Sequence, residues 1–324
     1  MSKVSIAMTT YNGEKFLEQQ LLSIFNQTRQ PDEVIICDDG SSDRTVMIVQ
    51  QFMTKYNLQD SWKIIKNKYN KGLTKNFLEC ASMTTGDIVF FSDQDDVWMA
   101  NKIFKMATLF EHNDKIKAMS CNFTCIDKES NRSEFILNML LKGKVNMQQV
   151  PFSMQVRDGR SGGLTLAVRR ELLDYAKPII FQYNLPYDLP MGLLASAFGG
   201  HYLLRESLVY RRVHSQNFST PKYTLKSRIQ NVGYHILSCS FRLKLMKACA
   251  KILDDKLSKN ERENLRRAIK LLEKSLVNLQ TRKIIPLFLD IFSINPMINR
   301  VISVDNFLCA FFGDYTQVKT DIEE

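Results

Sequence analysis

Four short apolar runs in the first hundred residues, Val4 to Met8, Glu33 to Cys37, Trp62 to Lys66 and Asp87 to Phe91, are separated by stretches with helical spacing, Glu14 to Asn26, Arg44 to Tyr56 and Leu73 to Met83. Strands that alternate with helices need crossover connections, which make the strands parallel and cover both sheet faces. The pattern predicts an α/β fold with a Rossmann-like, mostly parallel central sheet and helices on both faces. Ligands of such sheets gather beyond the carboxyl ends of the strands. The segments to inspect are therefore Thr9-Thr10-Tyr11, Asp38-Asp39-Gly40, Asn70-Lys71-Gly72 and Asp93 to Asp96, each of which follows an apolar run.

The last of these places three carboxylates, Asp93, Asp95 and Asp96, within four positions after Phe90-Phe91-Ser92. Two like charges 4 Å apart repel by about 4 kcal/mol at an effective dielectric near 20. A cation relieves that repulsion, and hard oxygen donors suit Mg²⁺ or Mn²⁺, which commonly complete their shells with phosphate oxygens. Two other readings use the same residues. One is a solvated acidic turn. The other is a phosphatase of the haloacid dehalogenase type with Asp93 as nucleophile and Asp95 as acid/base, although that motif normally follows the first strand and here three runs precede it. No Gly-x-Gly-x-x-Gly follows the first run and no Gly-x-x-x-x-Gly-Lys-Ser/Thr is present, which disfavours dinucleotide and P-loop sites.

Further along, Ala118 to Ile126, Gly163 to Val168 and Tyr202 to Val209 read as strands, Arg157 to Gly162 as a polar loop and Asp188 to Phe198 as a helix. Beyond residue 222 the pattern turns helical. Leu237, Phe241, Leu245 and Ile252 form one apolar stripe, and Leu265, Ile269, Leu272, Leu276 and Leu279 another.

Five motifs now stand in order: Thr10-Tyr11-Asn12-Gly13, Ser23-Ile24-Phe25-Asn26-Gln27-Thr28, Asp38-Asp39-Gly40-Ser41-Ser42-Asp43, Gly86-Asp87 and Ser92-Asp93-Gln94-Asp95-Asp96-Val97-Trp98. Together they resemble the family 2 inverting glycosyltransferases of GT-A fold, and within them the bacterial rhamnosyltransferases of cell-wall, capsule and O-antigen synthesis. The resemblance is dense to about residue 110 and traceable to about 217. It implies that Thr9, Tyr11, Asp39, Gly72 and Asp93 bind the donor nucleotide, with Asp39 accepting from a ring N–H. Asp93 and Asp95 stand for the family's Asp-x-Asp, Asp95 being the metal ligand. Gly162 and Gly163 fall at a glycine pair on the acceptor side, and Arg212, Trp98 and His214 fall near diphosphate, acceptor or metal. Asp188 occupies the position of the general base, although Tyr187 replaces the usual His or Glu before it and Leu189-Pro190 the usual aromatic pair after it. Those departures imply an altered acceptor pocket.

The implied reaction moves rhamnose or another hexose from a dTDP- or UDP-sugar to a hydroxyl of a growing, polyprenyl-diphosphate-linked surface glycan. A non-catalytic nucleotide-sugar-binding or membrane-adaptor protein on the same fold is the rival outside enzymology.

Charge locates a second feature. The chain has 324 residues and a net charge of +10. Between Lys222 and Lys283 sixteen Lys/Arg face five Asp/Glu, an excess of +11 that leaves the remainder near −1. Division into a catalytic domain, residues 1–217, and a basic helical region, residues 218–324, follows. Basic helices suit an anionic membrane surface, where each cation near the headgroups contributes about 1 kcal/mol. Nucleic acid also attracts basic helices but leaves the acidic rim unexplained, so none is expected. Seven scattered cysteines favour a reducing compartment over a disulfide framework, and Cys121 and Cys125 lack the second Cys/His pair of a zinc site. The N-terminus has no signal-peptide cleavage pattern, and Ile284 to Phe292 is too short to span a bilayer. The expected location is cytoplasmic, peripheral at the inner face of the plasma membrane.

Overall fold

The structure is a computed structural model that describes residues 1–131, 146–158, 162–214 and 232–283. Residues 222–231 of the basic segment, residues 159–161 of the Arg157 to Gly162 loop, and the Ile284 to Phe292 run lie outside the described residues. The chain divides into two compact units, Met1–Pro151 with Gly159–Asn217, and Phe152–Asp158 with Phe218–Glu324.

The first unit begins with β1 (Val4–Thr10), α1 (Leu17–Phe25), β2 (Glu33–Asp38), α2 (Thr45–Lys55), β3 (Trp62–Lys66), α3 (Leu73–Met83) and β4 (Ile88–Ser92). All seven residues of β1 and all five of β4 are buried, as expected of strands covered on both faces. In α1 the buried positions are Leu17, Gln20, Leu21 and Ile24, the spacing of one helical face. This helix starts three residues later than the sequence pattern predicts. Gly13 O accepts from the N–H groups of both Phe16 and Leu17, so a turn occupies the segment before it.

Next come β5 (Val97–Trp98), α4 (Lys102–His112), β6 (Ala118–Ile126), β7 (Met147–Gln149), β8 (Leu166–Arg169), α6 (Arg170–Tyr183), α7 (Asp188–Ala197) and β9 (His201–Arg212), with α5 (Phe152–Asp158) assigned to the second unit. The sheet order is β3-β2-β1-β4-β8-β6-β9-β5, and β7 also pairs with β9. The pairs β3/β2, β2/β1 and β1/β4 are parallel. Strand β8 is antiparallel to both β4 and β6, and β9 is parallel to β6, so β6 and β9 share the direction of β1. Only β5, β7 and β8 run against that direction, and the sheet is mostly parallel. The expected Gly163 to Val168 strand is shorter, because Gly163–Thr165 forms a 3-10 turn and the strand starts at Leu166.

Register aligns the polar rim. Thr10 pairs with Asp38, Asp38 with Lys66, and Met8 with Ser92, so the segments after β1, β2, β3 and β4 emerge on one edge.

In the second unit α8 (Val232–Ile252) packs on α9 (Lys259–Gln280). Ser258 caps α9 through a reciprocal box with Glu261. Leu265, Ala268, Leu272, Ser275 and Leu279 are its buried line. The stripe expected on α8 holds in part: Leu245 is buried and Phe241 and Ile252 are half-buried. Leu237 is 70% exposed, while His235, Cys239, Met246, Cys249 and, just beyond the helix, Leu253 are buried. At about 100° per residue, Leu237 lies roughly 200° around the helix from His235, on the opposite face. Lys247 pairs with Glu273, Arg267 with Glu263, and Arg262 and Arg266 with Asp254. Lys244, Lys251, Lys270 and Lys274 are exposed and have no acidic partner among the described residues. No helix among those residues is long and apolar enough to cross a membrane.

Candidate active site

The loop after β1 is held from three directions. Asn12 takes φ 48°, a left-handed conformation that asparagine tolerates. Its N–H donates to Ser41 Oγ at 2.9 Å, and Gly13 N–H donates to Thr45 Oγ1 at 2.8 Å. The Gln94 carboxamide pairs with the Tyr11 backbone twice, accepting from its N–H at 2.8 Å and donating to its carbonyl at 3.0 Å. Gln94 thus links the first rim segment to the acidic one. A Cβ on Gly13 would meet the Gln94 carboxamide and displace that link. The Tyr11 side chain is 48% exposed on this rim, and Thr9 is buried.

Buried Asp38 accepts from Thr10 Oγ1 at 3.0 Å and from Ser41 N–H at 2.9 Å, which closes the turn after β2. Asp39 Oδ1 accepts from Lys71 N–H at 2.8 Å and Asn67 Nδ2 at 3.0 Å, and Oδ2 from Gly72 N–H at 2.9 Å. The carboxylate therefore secures the Asn70 to Gly72 turn beside the rim. Gly72, at φ +86°, adopts a conformation costly for other residues.

The acidic run folds so that its carboxylates have separate environments. His214 Nε2 and Asp95 Oδ2 are 2.9 Å apart. Asp96 is buried and its Oδ1 accepts from Arg212 N–H at 3.0 Å. Burial first, then the charges of Asp95 and Asp188, pushes the Asp93 pKa up to about 7, against the opposing fields of Lys102 and Arg211. Burial also raises Asp96, helped by Asp95 and Asp93.

Asp188 opens α7. Its Oδ2 accepts from Gly163 N–H at 3.0 Å and its Oδ1 from Leu189 N–H at 2.9 Å. Burial nevertheless raises its pKa above the ordinary carboxylate value. Tyr187 is buried, with its ring 4.3 Å from Phe77 and 5.1 Å from Phe91, and the Asp93 and Asp188 charges add to the burial that raises its hydroxyl. A Cβ on Gly163 would stand 1.8 Å from Tyr187 Oη, so this close approach requires glycine. Asp93, Asp95, Asp96, Asp188 and the Gly162-Gly163 turn thus form one neighbourhood, although 92 or more residues separate Asp188 from the acidic run.

Two residues that the resemblance places near diphosphate or acceptor have structural contacts of their own. Arg212 is fully buried, and its guanidinium donates to Asp95 O at 3.0 Å, Asp127 O at 3.0 Å, Lys128 O at 3.3 Å, Ser130 Oγ at 3.0 Å and the Gln19 side chain. Consecutive strand residues point to opposite faces, and in the Arg211-Arg212 pair Arg211 is the one whose field reaches Asp93, while Arg212 interacts with Asp95, Asp96 and Asp127. Arg212 is a clamp on the loops, its guanidinium donors turned to protein acceptors. Trp98 is likewise a core residue, 3% exposed, with its N–H on Ser23 Oγ at 3.0 Å and its ring near Phe90. With the Gln20 amide oriented by its neighbours, Gln20 accepts from Trp98 Nε1 at 3.1 Å and donates to Asp96 O at 2.8 Å.

Sequence reasoning missed Gln94, Gln20, Asn67, Lys102 and Phe16. Phe16 lies between His214, at 4.8 Å between ring centres, and the Arg212 guanidinium, also at 4.8 Å. A lone glutamine or lysine on a helix carries no local signal of burial. Only the motif neighbours of Gln94 marked it.

Among the described residues no group of three or more His, Cys, Asp or Glu side chains forms a closed metal site. Asp95 and His214 offer one oxygen and one nitrogen, and carboxylates crowd beside them. That donor set fits a cation that draws most of its shell from substrate phosphate and water.

Comparisons with known proteins agree with this arrangement. A model of the glycosyl transferase family 2 matches residues 5–171. A glycosyltransferase of Bacillus subtilis, EpsE, is 31% identical over 222 residues, 68% of this chain and 77% of that protein. The dTDP-rhamnosyl transferase RfbG of Shigella flexneri is 24% identical over 272 residues, 78% of this chain and 87% of that protein. Residues 1–349 of Staphylococcus aureus TarS, solved with UDP-GlcNAc, superpose with a TM-score of 0.58 at 16% identity, covering 95% of this chain and 90% of that one. These findings set aside the phosphatase and adaptor readings: the chain belongs to glycosyl transferase family 2 and is a sugar-transferring enzyme of GT-A-like fold.

Proposed function

We propose that this enzyme transfers rhamnose or another hexose, with inversion, from a dTDP- or UDP-sugar to a hydroxyl of a polyprenyl-diphosphate-linked surface glycan. The observation that carries the reading is the Asp188 carboxylate, held by Gly163 N–H and close enough to the acidic run for its charge to act on Asp93. Inverting transfer needs a base at the attacking hydroxyl, and base catalysis of this kind contributes about 10² to 10⁴ in rate. Burial raises the proton affinity of Asp188, which improves it as an acceptor of the hydroxyl proton. Thr9, Tyr11, Asp39 and Gly72 line the rim where the nucleotide binds, and Gly162 and Gly163 face the acceptor. Asp95 and His214 would hold Mg²⁺ or Mn²⁺, and such a cation, when bound, supplies positive charge to the diphosphate leaving group. Arg211 adds a fixed cation whose field reaches Asp93. RfbG, named as a dTDP-rhamnosyl transferase, supports the donor class.

The test is a screen of dTDP- and UDP-sugars for nucleoside diphosphate release, with and without Mn²⁺, followed by analysis of the product's anomeric configuration. Metal-dependent release with an inverted linkage is expected. Retention of configuration removes Asp188 as base, and parental turnover by Asp95→Ala removes the metal assignment.

The basic helices are read as a contact with anionic lipid, placing the enzyme at the inner face of the plasma membrane. The exposed Lys244, Lys251, Lys270 and Lys274 support this. Reversing these four charges should markedly reduce co-sedimentation with anionic liposomes. Equal sedimentation of parent and variant returns the segment to an ordinary solvated surface.

A further inference from the structure

Lys102, the first residue of α4, is fully buried. Its Nζ donates to Leu164 O at 3.1 Å and stands 3.6 Å from the centre of the Trp98 ring. Burial pulls its pKa down to about 8, and the fields of Cys121, Asp96 and Asp93 oppose that shift. An ammonium in such a place is costly relative to an apolar side chain of the same size. Neither core packing nor the transfer mechanism above accounts for it.

Its acceptor is informative. Leu164 is the middle residue of the Gly163–Thr165 turn, which supplies the Gly163 N–H that Asp188 Oδ2 accepts. A three-residue 3-10 turn has few bonds of its own, here Thr165 N–H to Gly162 O at 3.0 Å and Leu166 N–H to Gly163 O. Its position therefore depends on outside anchors. The Tyr187 ring presses on the Gly163 side, and Lys102 draws the Leu164 carbonyl toward the base of α4.

We propose that Lys102 is a positioning residue of the transfer reaction: it anchors the Gly163–Thr165 turn so that Gly163 N–H holds the Asp188 carboxylate in its productive orientation. The inference rests on Asp188 being the general base. Methionine at this position fills the same volume but leaves Leu164 O without its donor. The turn then shifts, and small misplacements of a catalytic group cost up to about 100-fold in rate.

A kinetic double-mutant cycle tests this, using Lys102→Met, Asp188→Asn and the double variant, with kcat, donor KM and thermal unfolding measured for each. Residues acting as one unit are non-additive. Lys102→Met should lower kcat about 10- to 100-fold with donor KM within about threefold, and cost nothing more in the Asp188→Asn background. An equal fold-loss in both backgrounds overturns the inference and leaves Lys102 as a structural residue, with Asp188 untouched. Parental kcat in the single Asp188→Asn variant overturns the base assignment itself, and this inference with it. Should Lys102→Met fail to fold, Lys102→Leu, which likewise removes the donor to Leu164 O, enters the same cycle. A loss confined to the parental background then supports anchoring, and an equal loss in both backgrounds, or none in either, overturns it.

Discussion

Asp188→Asn should lower kcat by about 10²- to 10⁴-fold while the enzyme still binds nucleoside diphosphate with nearly parental affinity. The substitution keeps the size of the side chain and an oxygen for Gly163 N–H or Leu189 N–H, the two bonds that orient the carboxylate. What it removes is the capacity to take a proton. Steady-state kinetics and calorimetric titration of the nucleotide separate the two effects, and unchanged turnover would remove Asp188 from the mechanism. The pH dependence has a definite sign. Burial lifts the Asp188 pKa above its ordinary value, so the ionised, basic form disappears at a higher pH than for an exposed aspartate near about 4. Activity should therefore fall on acidification, with the limb displaced upward from that value. A limb at the position of an exposed carboxylate argues for a different base.

Arg212→Met should destabilise the first unit by about 3–5 kcal/mol, the range found when one partner of a buried charge cluster is removed. The Arg212 guanidinium joins the acidic run at Asp95 O to the Asp127–Ser130 turn and to Gln19 of α1, and its ring-stacked face lies over Phe16. Without it these part-buried acceptors lose their donor, and Asp95 loses a neighbouring cation. Urea denaturation should show a lower midpoint, and turnover should fall with it because Asp95 and His214 are set by the same loops. The alternative, a residue that touches diphosphate, predicts the reverse pattern: a raised donor KM at parental stability. A parental midpoint would show that the clamp is not what Arg212 does.

Local pattern carried some of these results and left others open. The β1 to β4 half of the sheet was legible because its strands are continuous apolar runs bounded by helices with regular spacing, and a parallel sheet puts the segments after them on one edge. The start of α1 was not, since Glu14 and Lys15 fit a helical spacing while the Gly13 carbonyl is already taken by a turn. The antiparallel β8 is shorter than its pattern for a related reason: Gly163 to Thr165 is apolar enough for a strand, but Thr165 bonds Gly162 O through its N–H and its Oγ1, which closes a 3-10 turn. On α8, both flanks of the helix are apolar, and hydrophobic spacing alone joined Leu237, which is exposed, to Leu245, which is buried.

By itself the sequence determined the α/β class, the membership of a sugar-transferring family and the rim from Thr9 to Asp96, since each follows from residues adjacent or regularly spaced along the chain. Tertiary structure decided which charged groups serve the site. It put Asp188 on the Gly163 turn, turned Arg212 inward as a clamp, sank Trp98 into the core and buried Lys102 beneath the same turn. Those outcomes depend on which carbonyls and rings lie opposite each side chain across long sequence separations. Burial and hydrogen-bond partners, not residue type, determine whether a cation binds a ligand or holds the scaffold together.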